Sequence, residues 1–191
     1  FLTSRDANRR AQFVRAEVDA IAVGAGTVLA DDPALTSREV YRERPLARVL
    51  FDRRLRTPAH ARVFSTLSAG PVIILTSPDG IASQTVHARA LEAAGATILP
   101  IAEPGLAPML RALVSFDVHS LLLEGGAGVH AAAWDEGLVD CVHLYVAPRV
   151  IGPGGVPLLD RRRFSPAALV DARIEACGED VIIEGYVHRL D

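Results

Sequence analysis

Short aliphatic runs alternate with helical stretches along most of this sequence, and that alternation restricts the fold more than any other feature. Asp19–Val23, Ala47–Asp52, Val72–Thr76, Ala96–Ile101, Ser120–Leu123 and Val139–Ala147 read as strands. Between them, Ala7, Ala11, Val14 and Val18 recur at helical spacing, and residues 83–94, Ala107–Phe116 and Val129–Glu136 also read as helices. Each parallel pairing needs a crossover, so this order predicts a largely parallel sheet covered on both faces. Ala168–Cys177 and Asp180–Arg189 read as a terminal hairpin around Gly178-Glu179, adding an antiparallel edge. Thr3 and Asp6 stand at capping-box spacing before the first helix. Ser77-Pro78-Asp79-Gly80 reads as a turn, and residues 33–47 as a long polar connection carrying Arg38, Arg42 and Arg44. The chain starts at Phe1 directly before a helix cap and reads as trimmed at its N-terminus.

Composition supports this class. Half of the 191 residues are hydrophobic but only 5% are aromatic, so the core is built from Ala, Val, Leu and Ile. That mix suits strands buried on both faces, and the length suits one domain. All 20 basic residues are arginine, which excludes a Schiff-base lysine or a phosphate-loop lysine within these residues. Arginine instead forks onto phosphate and carboxylate. A net charge of −3 argues against a nucleic-acid partner. Cys141 and Cys177 form no CxxC motif and read as reduced thiols of a cytoplasmic protein. The histidines show no metal-ligand spacing, so no metal is assigned, and no apolar run is long enough to span a membrane.

Two strands end in glycine turns that lead into helices: Gly24-Ala25-Gly26-Thr27 and Gly125-Gly126-Ala127-Gly128. Such turns let a phosphate approach backbone N–H groups at a helix start. Gly126-x-Gly128-x-x-Ala131 fits a dinucleotide fingerprint, and Gly24-x-Gly26 fits a looser one with Asp52 on a ribose and Arg53 and Arg54 on a 2′-phosphate. That reading stands second, because Pro33 cuts the helix after Gly26 short and no strand after Gly126 ends in an acid at the required distance.

The run from Asp19 to Arg38 (DAIAVGAGTVLADDPALTSR) closely resembles the reductase domain of the bacterial bifunctional riboflavin deaminase–reductases. Leu123-Glu-Gly-Gly-Ala-Gly, Gly137-Leu-Val-Asp140, Ala147-Pro148 and Ile151-Gly152 are similar to that family's second signature, and Arg48–Asp52 to its intervening strand. The resemblance implies a dihydrofolate-reductase-like α/β three-layer sandwich. It implies a homodimer and NADPH-dependent reduction of a 5-amino-6-(5-phosphoribosylamino)pyrimidinedione, the uracil compound, to its ribitylamino product. It implies cofactor contacts at Phe1, Thr27, Asp31, Arg53 and the run Gly126, Ala127, Gly128, Val129, His130, Ala131 and Ala132. Substrate contacts are implied at Arg15, Leu35, Arg38 and Glu124. The family's domain opens with a strand bearing a lysine and a Ser-x-Asp-Gly turn. Residues 1–191 therefore read as a single reductase domain lacking that strand, without the deaminase zinc signature.

In the implied reaction the ribosylamine opens to an imine that takes a hydride at the sugar carbon, with positioning as the main source of rate. A proton comes from water or from a carboxylate such as Asp31 or Glu124; the sequence does not separate them. Asp32 before Pro33 is turn chemistry, Trp134 is packing and Arg161–Arg163 a solvated loop. Two other readings remain: a related reductase of another small substrate, and a nucleotide-binding module without activity.

Overall fold

The computed structural model describes residues 2–152 and 154–189. Five strands form a parallel sheet: β1 (Ala20–Gly24), β2 (Ala47–Phe51), β3 (Val72–Thr76), β4 (Ala96–Pro100) and β5 (Leu121–Gly125), in the order β4-β3-β2-β1-β5. The helices are α1 (Arg5–Glu17), α2 (Ala25–Asp31), α3 (Pro78–Ser83), α4 (Thr85–Ala93), α5 (Ala107–Leu113) and α6 (Ala127–Asp135). Strand side chains alternate between two cores. Ile21, Val23, Leu50 and Ile74 face the layer holding Val28 of α2 and Leu91 of α4. Ala20, Ala22, Val49, Ile73 and Leu75 face Met109 and Leu113 of α5 and Ala133 of α6. Every side chain of β1 to β3 is buried, which is why these strands read as largely aliphatic runs.

The predicted antiparallel strands are present but arranged differently. β6 (Cys141–Val146), β7 (Val170–Cys177) and β8 (Asp180–Tyr186) form their own three-stranded sheet, β6-β8-β7, instead of an edge on the parallel one. Hydrogen bonds to α1 dock it: Ser4 N donates to Asp180 Oδ2 at 2.6 Å and Ser4 Oγ to the Cys177 carbonyl. That docking also corrects the cap of α1. Ser4, not Thr3, accepts from the Ala7 N–H, because the hairpin holds Ser4 at the helix start. Ser77–Gly80 is likewise a helix start and not a plain turn: Ser77 Oγ accepts from Gly80 N and Pro78 opens α3. Gln84, with non-helical backbone angles, separates α3 from α4.

One strand residue defies the aliphatic rule. Arg48 of β2 is fully buried, and its guanidinium donates to the Thr66 carbonyl and hydroxyl at 3.0 Å each, the Pro71 carbonyl at 3.3 Å and the Gly70 carbonyl. Burial pushes its pKa down to about 10, still far above neutrality. The side chain therefore stays charged and staples the 3₁₀ segment Arg62–Ala69 to the entry of β3. Replacing it with an apolar side chain of similar length leaves three carbonyls without their donor. Arg48→Met should lower the unfolding free energy by about 3 kcal/mol in a urea titration; an unchanged midpoint would show that the staple carries no net stability.

Candidate active site

The carboxyl ends of the parallel strands gather the chemically capable residues. β1 and β5 are neighbours, so their two glycine turns lie against one another. A Cβ on Gly24 would stand 2.7 Å from Val129 Cγ2 of α6, and one on Gly125 3.0 Å from Thr27 Oγ1 of α2. Gly126 takes φ +97°, a value that glycine alone adopts without strain. Glycine at these positions is therefore a packing requirement. The next glycine in each turn is different: a Cβ at Gly26 or Gly128 would meet nothing within 4 Å, so the backbone there faces open space. Gly126 caps α6 without a side-chain hydrogen bond, leaving the first N–H groups of that helix to an outside acceptor.

Glu124 precedes the second turn and is the odd residue of the strand pairing. Ala22 pairs with Leu123 and Val23 with Gly125, so Glu124 is a bulge with no partner on β1. The bulge turns its side chain out of the ladder. Both carboxylate oxygens accept from Arg15 of α1, from Nε and Nη2 at 2.5 Å each. Arg15 Nη1 donates to the Thr36 carbonyl at 2.8 Å, so one side chain ties α1, β5 and the 33–47 connection together. About four-fifths of each side chain is shielded from solvent. Arg42 fixes the same end of α1 from the other side, donating to the carbonyls of Arg15 and Val18. It thereby caps orphan carbonyls at the helix C-terminus.

Beside α6 the Asp52–Thr57 loop forms one wall of a cleft of about 330 Å³. Asp52 Oδ2 accepts from the Thr57 N–H at 2.7 Å and its hydroxyl at 2.8 Å, closing the loop, while Leu55 turns into the core. Arg53, Arg54 and Arg56 are consequently left pointing outward, and all three line both this cleft and an adjoining one of about 370 Å³. Gly128, Val129 and Ala132 supply the facing wall, with Leu106 and Met109 of the α5 region. Glu136 holds that region in place by accepting from the N–H groups of Leu106 and Ala107.

The structure thus brings Arg53, Gly128, Val129 and Ala132 to one cleft, Thr27, Gly125 and Gly126 to one turn pair, and Arg15 and Glu124 to one ion pair. Asp31 lies one helical turn beyond Thr27 on α2 and is exposed. Arg38 is exposed, its N–H bound to Gln12 Oε1 at 2.7 Å. Three positions differ from a simple ligand-contact reading. The Leu35 side chain is 3% exposed and packs in the core. The His130 ring sits between the Leu123 and Leu158 carbonyls, 3.2 Å from each, and Ala131 is buried. Phe1 lies outside the described residues. Asp32 is a turn residue: it takes φ +42°, and its Oδ1 accepts from Arg62 N.

Sequence reasoning met Arg54 only in the second-ranked dinucleotide reading, and it passed over Arg56 and Tyr145 of β6. The Tyr145 hydroxyl is buried without a hydrogen-bond partner among the described residues. Burial, with smaller contributions from Cys177, Glu124 and Glu184 against an opposing one from Arg10, pushes its pKa up to about 12. It is a neutral phenol with a proton to donate.

The family model described as the RibD C-terminal domain matches residues 1–183. The riboflavin biosynthesis protein RibD of Aquifex aeolicus is 30% identical over 185 residues, covering 96% of this chain and 50% of that protein. The 2,5-diamino-6-ribosylamino-4(3H)-pyrimidinone 5′-phosphate reductase of Methanothermobacter thermautotrophicus is 33% identical over 184 residues, covering 92% of this chain and 83% of the relative. Among solved structures, a RibD of Acinetobacter baumannii aligns with a TM-score of 0.77 at 24% identity, over 97% of this chain and 51% of that one. The riboflavin biosynthesis reductase Rib7 of Saccharomyces cerevisiae aligns with a TM-score of 0.74 at 16% identity, over 96% and 81% of the two chains. The chain spans about half the length of the first of these RibD relatives, and the structural matches establish the shared fold.

The ion pair makes a measurable prediction. In a double-mutant cycle of Arg15→Met and Glu124→Gln, the two substitutions should couple by about 1–2 kcal/mol in denaturant titrations, as a shielded bidentate pair does. Additive effects would mean that the pair does not hold α1 to β5.

Proposed function

This chain belongs to the RibD C-terminal domain family, and from that premise we propose that it reduces 5-amino-6-(5-phosphoribosylamino)uracil to the ribitylamino compound with NADPH. The observation that carries the reading is the junction of the two glycine turns with the Arg15–Glu124 pair. One backbone path, Glu124-Gly125-Gly126, links a charged pair suited to a polar sugar phosphate with open backbone suited to a dinucleotide. The M. thermautotrophicus relative, whose name specifies a ribosylaminopyrimidinone phosphate, is covered over most of its length and supports the substrate class.

The residues present fit a nicotinamide dinucleotide. Open backbone at Gly26 and Gly128 and the uncapped start of α6 suit phosphate oxygens. The adjoining clefts hold three arginines, and among the described residues Arg54 and Arg56 make no ion pair. These two are our candidates for a 2′-phosphate, because the Arg53 guanidinium already donates to the Glu103 carbonyl. Asp52 Oδ1 is a buried acceptor without a partner at the cleft wall. When bound, the cofactor supplies the hydride that reduces the sugar carbon.

The chain's own residues position and protonate. Exposed Arg38 provides positive charge for the substrate phosphate, while Arg15 uses its charge to hold Glu124 at the end of β5. Both Glu124 oxygens are engaged as acceptors, whereas Asp31 is exposed and accepts no hydrogen bond among the described residues. Asp31 is accordingly our first candidate for passing a proton from solvent water to the substrate, and Glu124 for orienting the substrate. We further propose a homodimer formed through the exposed edge strand β7, where Ile174 is 70% exposed. A cytoplasmic location suits the free thiols of Cys141 and Cys177. No described helix is long and apolar enough to cross a membrane.

Turnover of the phosphoribosylaminouracil, followed by loss of reduced-cofactor absorbance and by product chromatography, tests the reading. The chain should be faster with NADPH than with NADH at equal concentration. Arg54→Ser/Arg56→Ser should raise the NADPH KM on the order of a hundred-fold and leave the NADH KM nearly unchanged, as expected from two lost charge-assisted hydrogen bonds. Tight NADPH binding without turnover of this pyrimidine would move the substrate assignment elsewhere in the family.

A further inference from the structure

Cys141 and His143 stand two apart on β6, so both side chains project from the same face of the sheet. β8 runs antiparallel beside it, and the register places Glu184 directly opposite His143. Residues directly opposed in such a pair are near neighbours on that face. The result is a compact cluster drawn from positions 41 residues apart. Cys141 Sγ lies 3.8 Å from His143 Nε2, and His143 Nδ1 lies 3.5 Å from Glu184 Oε2. One ligand atom from each residue falls within 4.8 Å of the others. All three side chains are half-buried, so the cluster is shielded yet reachable from solvent.

We propose that Cys141, His143 and Glu184 form a zinc(II) site with one sulfur, one nitrogen and one oxygen ligand. Zinc accepts this mixed set in a tetrahedron with bonds of roughly 2.0–2.3 Å, which sets neighbouring ligand atoms somewhat under 4 Å apart. Small rotations about the side-chain torsions bring the three atoms from their present separations to that spacing. Three protein ligands leave the fourth position to water, as in sites that are not closed. Calcium and magnesium are excluded by the thiol and imidazole, since both take oxygen ligands.

Two neighbours bear on the site. Arg10 of α1 lies 4.0 Å from Glu184 Oε2, and it lies equally far from Glu175 Oε1. Both contacts are long and Arg10 is about half exposed, so it can keep Glu175 when Glu184 turns to a metal. Burial and then the Glu184 charge push the Cys141 thiol above its ordinary value. A dication between them reverses that effect by favouring the thiolate. Ligation would cross-link β6 to β8 two residues from Tyr145, on the same face of β6.

The test is a titration of the whole chain, reduced and metal-free, with zinc chloride by calorimetry and with cobalt(II) chloride by absorption. The proposal predicts one equivalent of metal and a thiolate-to-cobalt charge-transfer band. Cys141→Ser should abolish the band, and Cys141→Ser or His143→Ala should each weaken zinc binding on the order of a hundred-fold or more. Cys177→Ser should change neither. Circular dichroism of the metal-free variants checks that they fold. No zinc uptake by the parent chain, a band that survives Cys141→Ser, or a zinc affinity indifferent to both substitutions would overturn the proposal.

Discussion

The bulge at Glu124 is the constraint on which the site depends. A regular parallel ladder would leave the residue before Gly125 paired with β1 and its side chain in one of the two packed layers. The register shift between Ala22 and Val23 instead releases Glu124 from the ladder, and Arg15 takes both of its oxygens. With Glu124 anchored, Gly125 and Gly126 are drawn against Thr27, and Val129 against Gly24. Any side chain at Gly24 or Gly125 would push these elements apart. The two glycine turns are therefore one structural unit made by two neighbouring strands.

From that unit the cleft follows. α6 starts at Gly126, so its position fixes where Gly128, Val129 and Ala132 face. Glu136, just past the far end of the same helix, positions the start of α5 through two backbone N–H groups. The opposite wall is set independently by Asp52, which closes its own loop and sends three arginines outward. A lysine-free protein thus gathers positive charge from arginines on a short loop and from backbone dipoles. Guanidinium groups suit that arrangement, since they remain charged and offer forked donors.

Much of this was legible in the sequence because it rests on local rules. Strands buried on both faces announce themselves as aliphatic runs, and β1 to β3 were readable for that reason. The glycine turns were readable because glycine is required there by packing. What escaped was whatever depends on contacts between distant segments. Thr3 and Ser4 are equally eligible caps, and Asp180 decides between them. The separate three-stranded sheet could not be told from an added edge, since strand order is not written in any one strand. Leu35 matched a family position, but its side chain packs in the core. Arg56 gains its interest only from the cleft it shares with Arg53 and Arg54, and Cys141 and His143 only from the register that brings Glu184 opposite.

The claim that the paired glycine turns hold the cofactor can be examined directly by amide hydrogen exchange with and without NADPH. Exchange reports on individual backbone N–H groups, the very donors assigned to the cofactor phosphates. The account predicts slower exchange concentrated at residues 24–28 and 126–132, with smaller changes along 53–56. Protection confined to other segments while NADPH is bound would contradict it, because the cofactor would then rest on a different surface of the sheet.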